Sequence, residues 1–398
     1  MIQLSERLNA MEESATLAMA RLSRELKAQG KDIISLSLGE PDFHTPLFIK
    51  DAAIQAINDN FTTYTPVAGY DDLREAITAK FLRDNGLVYS KEQIVVSTGA
   101  KQSIANVVLS LINPGDEVII PAPYWVSYIE IVKMAGGHPI IIEAGIEHDF
   151  KINASQLADA ISEKTKLFIF SSPCNPTGSV YTKSELRALA DVFAKHPNIV
   201  ALSDEIYEHI RFEGQHESLG QFEDIFDQVV TVNGVSKAWA MTGWRLGYIG
   251  ASKQIADACN KIQGQFTSGT NSITQRAAID AMLEDPATLK EMVDTFHRRR
   301  DLVLSYLTKI PGIKCNVPTG AFYLFPDVSA YFGARDGEAT ITNGDDLCMY
   351  LLREGNIALV DGKGFGAPNC IRISYAASEQ QLIQAMERLT DALAQLKR

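Results

Sequence analysis

The chain has 398 residues, 46% hydrophobic and 22% charged, a balance ordinary for a globular protein and foreign to a disordered or collagen-like one. Its 37 Lys and Arg against 49 Asp and Glu leave a formal charge of -12, which disfavours a nucleic-acid partner, although a few local cations still suffice for a small anion. Five scattered cysteines without a CxxC pair, first residues unlike a secretory signal, and no run approaching roughly 18 apolar residues point to a reduced, cytoplasmic protein without a membrane span.

Residues 5–29 carry a helical amphipathic pattern in Leu8, Met11, Leu17, Leu22 and Leu26, closed by Gly30. The apolar run Ile33-Ile34-Ser35-Leu36 then meets the turn-rich Gly39-Glu40-Pro41-Asp42, and helices are predicted over 47–59 and 70–85. From there short β-branched runs at 93–97, 117–121, 139–142, 166–171, 198–203, 228–232 and 246–250 alternate with helical stretches, notably 100–112, 124–136 and 183–195. Seven strands joined by long crossovers predict an α/β fold with a mostly parallel sheet covered on both faces. Residues 254–307 read as largely helical. Beyond Pro311-Gly312 come a strand at 321–325, a helix at 345–354, a strand at 370–374 and a last helix at 378–396. That last third reads as a smaller α+β region against which the N-terminal segment packs.

The ends of the predicted strands carry the chemistry. The strand near 233 is followed by Ser236-Lys237, which puts a lysine at the sheet's carboxyl edge, where open α/β folds take their ligands. Arg245, eight residues on, reaches the same mouth. The strand at 198–203 delivers Asp204 with Tyr207 beyond it, and 166–171 delivers Asn175 within a Pro- and Gly-constrained turn. The strand at 93–97 runs through Thr98-Gly99-Ala100-Lys101 into a helix, and unpaired N–H groups at a helix start suit an anion. An anion cup, an amide, a carboxylate and a lysine at four strand ends form one coherent site. Arg372 alternates with apolar neighbours on a short strand, so it either reaches solvent or binds an anion.

Taken together, Gly39-Glu40-Pro41-Asp42, Tyr64, Ser172–Gly178, Asp204-Glu205-Ile206-Tyr207 and Ser236-Lys237…Gly243-Trp244-Arg245 resemble the fold-type I, class I pyridoxal-phosphate aminotransferases, and most of all their bacterial aspartate aminotransferase subgroup. The resemblance runs from about residue 5 to the C-terminus. It implies a large cofactor-binding α/β domain over 48–290 and a small α+β domain made of 1–47 and 291–398. It implies pyridoxal 5'-phosphate as cofactor, amino acids and 2-oxo acids as substrates, and a homodimer with shared sites. Lys237 would join the cofactor's aldehyde and later carry a proton, and Asp204 would pair with the pyridine nitrogen. Asn175 and Tyr207 would bond the ring's phenolic oxygen. Gly99, Ala100, Lys101, Ser236 and Arg245 would cup the phosphate, with Tyr64 reaching a neighbouring subunit's phosphate. Trp125 would stack on the ring, and Arg372, with Gly39 and Asn175, would bind the substrate carboxylate. The activity implied is transfer of the amino group of L-aspartate to 2-oxoglutarate.

The same constellation would serve another amino-acid aminotransferase or a β-lyase. Arg276 is a candidate for the substrate's distal end. A non-catalytic regulator on this fold needs a DNA-binding module for which 398 residues leave no room. Gly362–Gly366 is glycine-rich but precedes a strand, against a dinucleotide loop. Seven histidines show no metal-ligand spacing, so no metal is expected. Arg298-Arg299-Arg300 read as a solvated helix face.

Overall fold

A computed structural model describes residues 2–397. Its centre is a seven-stranded sheet in the spatial order Ile94–Ser97, Gly247–Gly250, Val229–Gly234, Val200–Asp204, Thr165–Ser171, Glu117–Ala122 and His138–Glu143. Every neighbouring pair is parallel except the two made by Gly247–Gly250, which runs against both of its neighbours. The inner strands are buried along almost their whole length because helices cover both faces, and only the edge strand His138–Glu143 is largely open.

Two arrangements place a cleft at the carboxyl edge. Strands are added outward from Glu117–Ala122 to His138–Glu143, and in the other direction from Thr165–Ser171 through Val200–Asp204 to Val229–Gly234. Crossovers therefore leave from opposite sides of the junction between Glu117–Ala122 and Thr165–Ser171, opening a crevice there. The reversed strand Gly247–Gly250 begins where its neighbours end, with Gly247 paired to both Ser97 and Gly234, so the residues before it stand at the same edge.

The remaining sheets are small. Ile371–Ser374 lies antiparallel between Val360–Asp361 and Tyr323–Leu324, and Ile34–Ser35 pairs in parallel with Ile357–Ala358, joining the N-terminal segment to the last third. The strand predicted at 321–325 is confined to Tyr323–Leu324.

Two expectations are corrected and one is refined. The helix over 5–29 is two helices, Glu6–Asn9 and Ala15–Ala28. Ser14 leaves helical geometry as N-cap of the second, while the Glu12 N–H donates to Glu130 Oε2 at 3.0 Å, which pins the connecting residues to helix Ser127–Met134. The helical stretch 254–307 is three main helices, Lys253–Phe266, Ser272–Leu283 and Lys290–Leu307. Asn271 caps the second of these, and Asp285-Pro286 begins the short turn before the third. Of the arginines read as a solvated face, only Arg298 is open. Arg299 and Arg300 are buried, the first in a two-pronged ion pair with Asp42 (2.7 and 2.9 Å), the second donating to the Pro318 carbonyl at 2.9 Å. No helix among the described residues is long and apolar enough to cross a membrane.

Candidate active site

A cleft of ≈ 460 Å³ opens at the carboxyl edge, and Gly39, Ala100, Lys101, Trp125, Asn175, Asp204, Tyr207, Ser236, Lys237, Arg245 and Arg372 all line it. Gly99 lies directly behind the lining: a Cβ built on it would stand 2.3 Å from Arg245 Nη2. Tyr64 is not brought to the cleft by its own chain; it is 98% exposed.

Asp204 ends strand Val200–Asp204 and is buried. Its Oδ2 accepts from the Tyr128 hydroxyl at 2.7 Å and its Oδ1 from the Ile206 N–H at 3.3 Å. Burial raises its pKa to about 6, a rise that these bonds and the charge of Lys237 offset only in part. The carboxylate lies in an apolar wall without a cationic hydrogen-bond partner among the described residues. Tyr207, one turn on, is buried, and its hydroxyl meets the Tyr323 hydroxyl at 2.6 Å.

Lys237 follows strand Val229–Gly234, and its Nζ donates to the Gly39 carbonyl at 2.6 Å. Burial first, and Arg372 second, lower its pKa from 10.5 to about 8, so a free amine is far more accessible than on a surface lysine. Gly39 cannot carry a side chain, because a Cβ there would lie 2.2 Å from the Tyr323 hydroxyl oxygen.

Helix Ala100–Leu111 points its N-terminus at the cleft. Arg245, in left-handed backbone conformation, donates from Nη1 to the Thr242 carbonyl at 2.8 Å, and its other terminal nitrogen lies over Gly99. Guanidinium and helix start together make a cup for an anion. Ser236 is buried beside it, and the Lys101 ammonium sits 4.9 Å from the centroid of the half-buried Trp125 ring.

Arg372 is fully inside the protein. Nη1 donates to Asn175 Oδ1 at 2.9 Å and Nη2 to the Ser37 carbonyl at 2.6 Å, while the guanidinium packs against the rings of Tyr323 and Phe365. Nε is buried without a partner. Of the two readings open for this strand arginine, the solvent-facing one is excluded, since the side chain is 1% exposed and lines the cleft.

Sequence reasoning did not assign Tyr128, Tyr323, Thr16 or the Ser37 carbonyl. Tyr128 and Tyr323 bond Asp204 and Tyr207 from 76 and 116 positions away, and no local pattern signals such a pairing. Arg276 lies outside the cleft: it is paired with Asp72 and packed over Phe61 and Tyr70. Two groups, Asp84, Glu208 and His209, and Glu205, Glu208 and His216, bring ligand-type atoms within 4.8 Å of one another, which histidine spacing did not foresee. Lys80 is paired with Glu208 there.

The donor set fits a phosphorylated pyridine aldehyde. The anion cup, the carboxylate awaiting a cationic N–H and the amine with lowered pKa suit its phosphate, ring nitrogen and aldehyde, and the Arg372 guanidinium lining the cleft suits a substrate carboxylate.

Residues 31–389 match the family model for aminotransferase class I and II. The chain is 48% identical, over 97% of both lengths, to a probable aspartate/prephenate aminotransferase of Rhizobium leguminosarum bv. phaseoli. It is 47% identical to a bifunctional aspartate aminotransferase and glutamate/aspartate-prephenate aminotransferase of Petunia hybrida, over 100% of this chain and 84% of that one. Among solved structures, the aspartate aminotransferase of Rhizobium meliloti superposes with a TM-score of 0.96 at 40% identity over the whole of both chains. That of Thermus thermophilus with maleate gives 0.93 at 39% identity, over 98% of this chain and 100% of that one.

Proposed function

The chain belongs to the class I and II aminotransferases, and from that premise we propose that it is a cytoplasmic, homodimeric aspartate aminotransferase. It would take the amino group of L-aspartate and pass it to 2-oxoglutarate, with oxaloacetate and glutamate as products. The observation that carries this reading is the convergence in one cleft of a half-buried lysine with a pKa near 8, a carboxylate without a cationic partner and a buried arginine.

When bound, pyridoxal phosphate supplies an aldehyde for the substrate nitrogen and a ring that takes up the electrons of the broken Cα–H bond. The chain's residues do the rest. Lys237 would hold the cofactor through its aldehyde, and its free amine would carry a proton to or from the substrate Cα. Asp204, kept in place by Tyr128, stabilises a proton on the ring nitrogen, and a charged hydrogen bond of this kind is worth about 1.5–3 kcal/mol. Tyr207 and Asn175 serve the ring oxygen; Asn175 uses its Oδ1 for Arg372, which leaves its amide N–H groups for that oxygen. The N–H groups of Gly99, Ala100 and Lys101, with Ser236 and Arg245, hold the phosphate, and Tyr64 of the second subunit completes it. Trp125 covers the ring and excludes water. Arg372 and Gly39 fix the substrate's α-carboxylate.

For the distal carboxylate, Lys101 is the better candidate. Its ammonium lines the cleft and has no carboxylate partner among the described residues, whereas Arg276 is neutralised by Asp72. A cation at that point favours a dicarboxylic donor over the neutral ones of a β-lyase. Relatives whose names include prephenate support that oxo acid as a second acceptor.

The test is a donor-by-acceptor panel on the cofactor-loaded protein, with borohydride labelling. Oxaloacetate should form from aspartate and 2-oxoglutarate, with the label on Lys237. Replacing Lys101 by Ala should raise KM for aspartate about tenfold, the worth of a charged hydrogen bond. A loaded protein that makes no oxaloacetate, or that releases pyruvate from cysteine-type donors without any oxo acid, is not an aspartate aminotransferase.

A further inference from the structure

Residues 204–208 alternate between two destinations. Asp204 and Tyr207 face the cleft; Glu205 and Glu208, the next residue in each case, are buried on the opposite side. The Glu205 carboxylate is 1% exposed and saturated. Oε1 accepts from the hydroxyls of Ser203 (2.8 Å) and Ser218 (2.7 Å); Oε2 accepts from His216 Nε2 (2.8 Å) and, more loosely, from the Asn85 amide (3.4 Å). The same Asn85 amide donates to Glu208 at 2.7 Å, and Lys80 pairs with Glu208. The backbone is fixed less completely: the Glu205 N–H is held by Val232 and the Glu208 N–H by Glu205 itself, after which the segment leaves the sheet.

A carboxylate taken so far from water is costly unless every lone pair is satisfied. Here the satisfaction comes from segments around 85, 203 and 216–218, which converge on this carboxylate. The groups gripping Glu205 hold its side chain, and the chain on either side of it carries Asp204 and Tyr207 into the cleft. We infer that Glu205 is a positioning residue: anchored by Ser203, Ser218 and His216 behind the sheet edge, it sets the angle at which Asp204 and Tyr207 meet the cofactor ring. This rests on the reading of the cleft as a pyridoxal-phosphate site.

The experiment compares Glu205→Ala and Glu205→Gln in the loaded enzyme by the induced circular dichroism of the bound cofactor's visible band, and by kcat and KM for aspartate. A displaced reacting group costs up to about 100-fold, so Glu205→Ala should lower kcat by roughly 10- to 100-fold with KM changed less than about threefold. Its induced dichroism should fall as the ring loses its fixed tilt. Glu205→Gln keeps an acceptor for both serines, and His216 can accept from its amide after a change of tautomer; dichroism and most of kcat should return. A loaded Glu205→Ala enzyme with unaltered dichroism and kcat overturns the inference, and so does a Gln variant as damaged as the Ala one. If Glu205→Ala does not fold, His216→Ala, which removes one partner at the outer edge, takes its place and should shift the dichroism in the same direction; an unaltered spectrum overturns the inference there too. A wild-type chain without a visible band on loading would instead refute the function proposed above.

Discussion

At Asp204 burial works against folding before any cofactor binds. The carboxyl's pKa is raised from 3.8 to about 6, so between these values the folded chain holds a proton the unfolded one has lost, and stability falls as pH climbs through that window. Above pH 6 the full penalty, about 3 kcal/mol, is present. Lys237, lowered from 10.5 to about 8, adds a second penalty below pH 8 that is relieved as pH rises towards 10.5. Replacing Asp204 by Asn removes the first charge while keeping bonds to the Ile206 N–H and the Tyr128 hydroxyl, which can accept as well as donate. The cofactor-free Asp204→Asn chain should therefore unfold at a higher temperature than wild type at pH 7.5, with the gap closing towards pH 4. On the proposed role its turnover should drop by roughly 100-fold or more, since an amide cannot hold a proton on the ring nitrogen. A variant less stable than wild type at pH 7.5 would mean that Asp204 is not strained in the empty site.

At the scale of elements, the site depends on how closely the reversed strand Gly247–Gly250 approaches the start of helix Ala100–Leu111. A Cβ at Gly247 would lie 2.2 Å from the Ala100 nitrogen, a backbone atom that cannot step aside, whereas one at Gly99 would meet the flexible end of Arg245. The two glycines should fail differently. Gly247→Ala should cost folding stability, several kcal/mol by the measure of overpacked sites, read as a lowered Tm. Gly99→Ala, at φ 84, carries a backbone cost of about 1–3 kcal/mol. Its clearer signature is weakened cofactor retention, because Arg245 is pushed off the anion cup. Equal Tm losses with equal cofactor retention would show that the cup does not depend on this contact.

The whole molecule leaves an apolar face unfilled. Helix Leu47–Asn58 exposes Leu47, Ile54 and Ile57, with Tyr64 beyond it at 98% exposure. An exposed row of this kind suits a second copy of the chain, which would also bring Tyr64 to the neighbouring phosphate. Tyr64→Ala and Lys237→Ala should each be impaired alone. Mixed dimers reassembled from the two contain one intact site, so activity should rise on mixing well above the average of the separate proteins. No rise on mixing would place Tyr64 in the service of its own chain, or of no site.

The order of elements and the residues at the strand ends were legible in the sequence. Buried parallel strands must be short apolar runs, and the residues just past each run stand at the edge where ligands bind; Lys237, Asp204, Asn175 and the start of helix Ala100–Leu111 are placed by that rule alone. The boundaries moved where the backbone turned extended, a side chain capped the next helix or a proline took over, as at Ser14, Asn271 and Pro286. Tertiary structure decided the partnerships. Tyr128 with Asp204, Tyr323 with Tyr207, Asp42 with Arg299, and Asn85 with Glu208 join residues far apart in the chain. A hydrogen bond depends on where two atoms come to rest, and hydrophobic periodicity carries no record of that. For the same reason an arginine row that reads as solvated can be two-thirds buried: its burial is set by the loop that arrives to meet it.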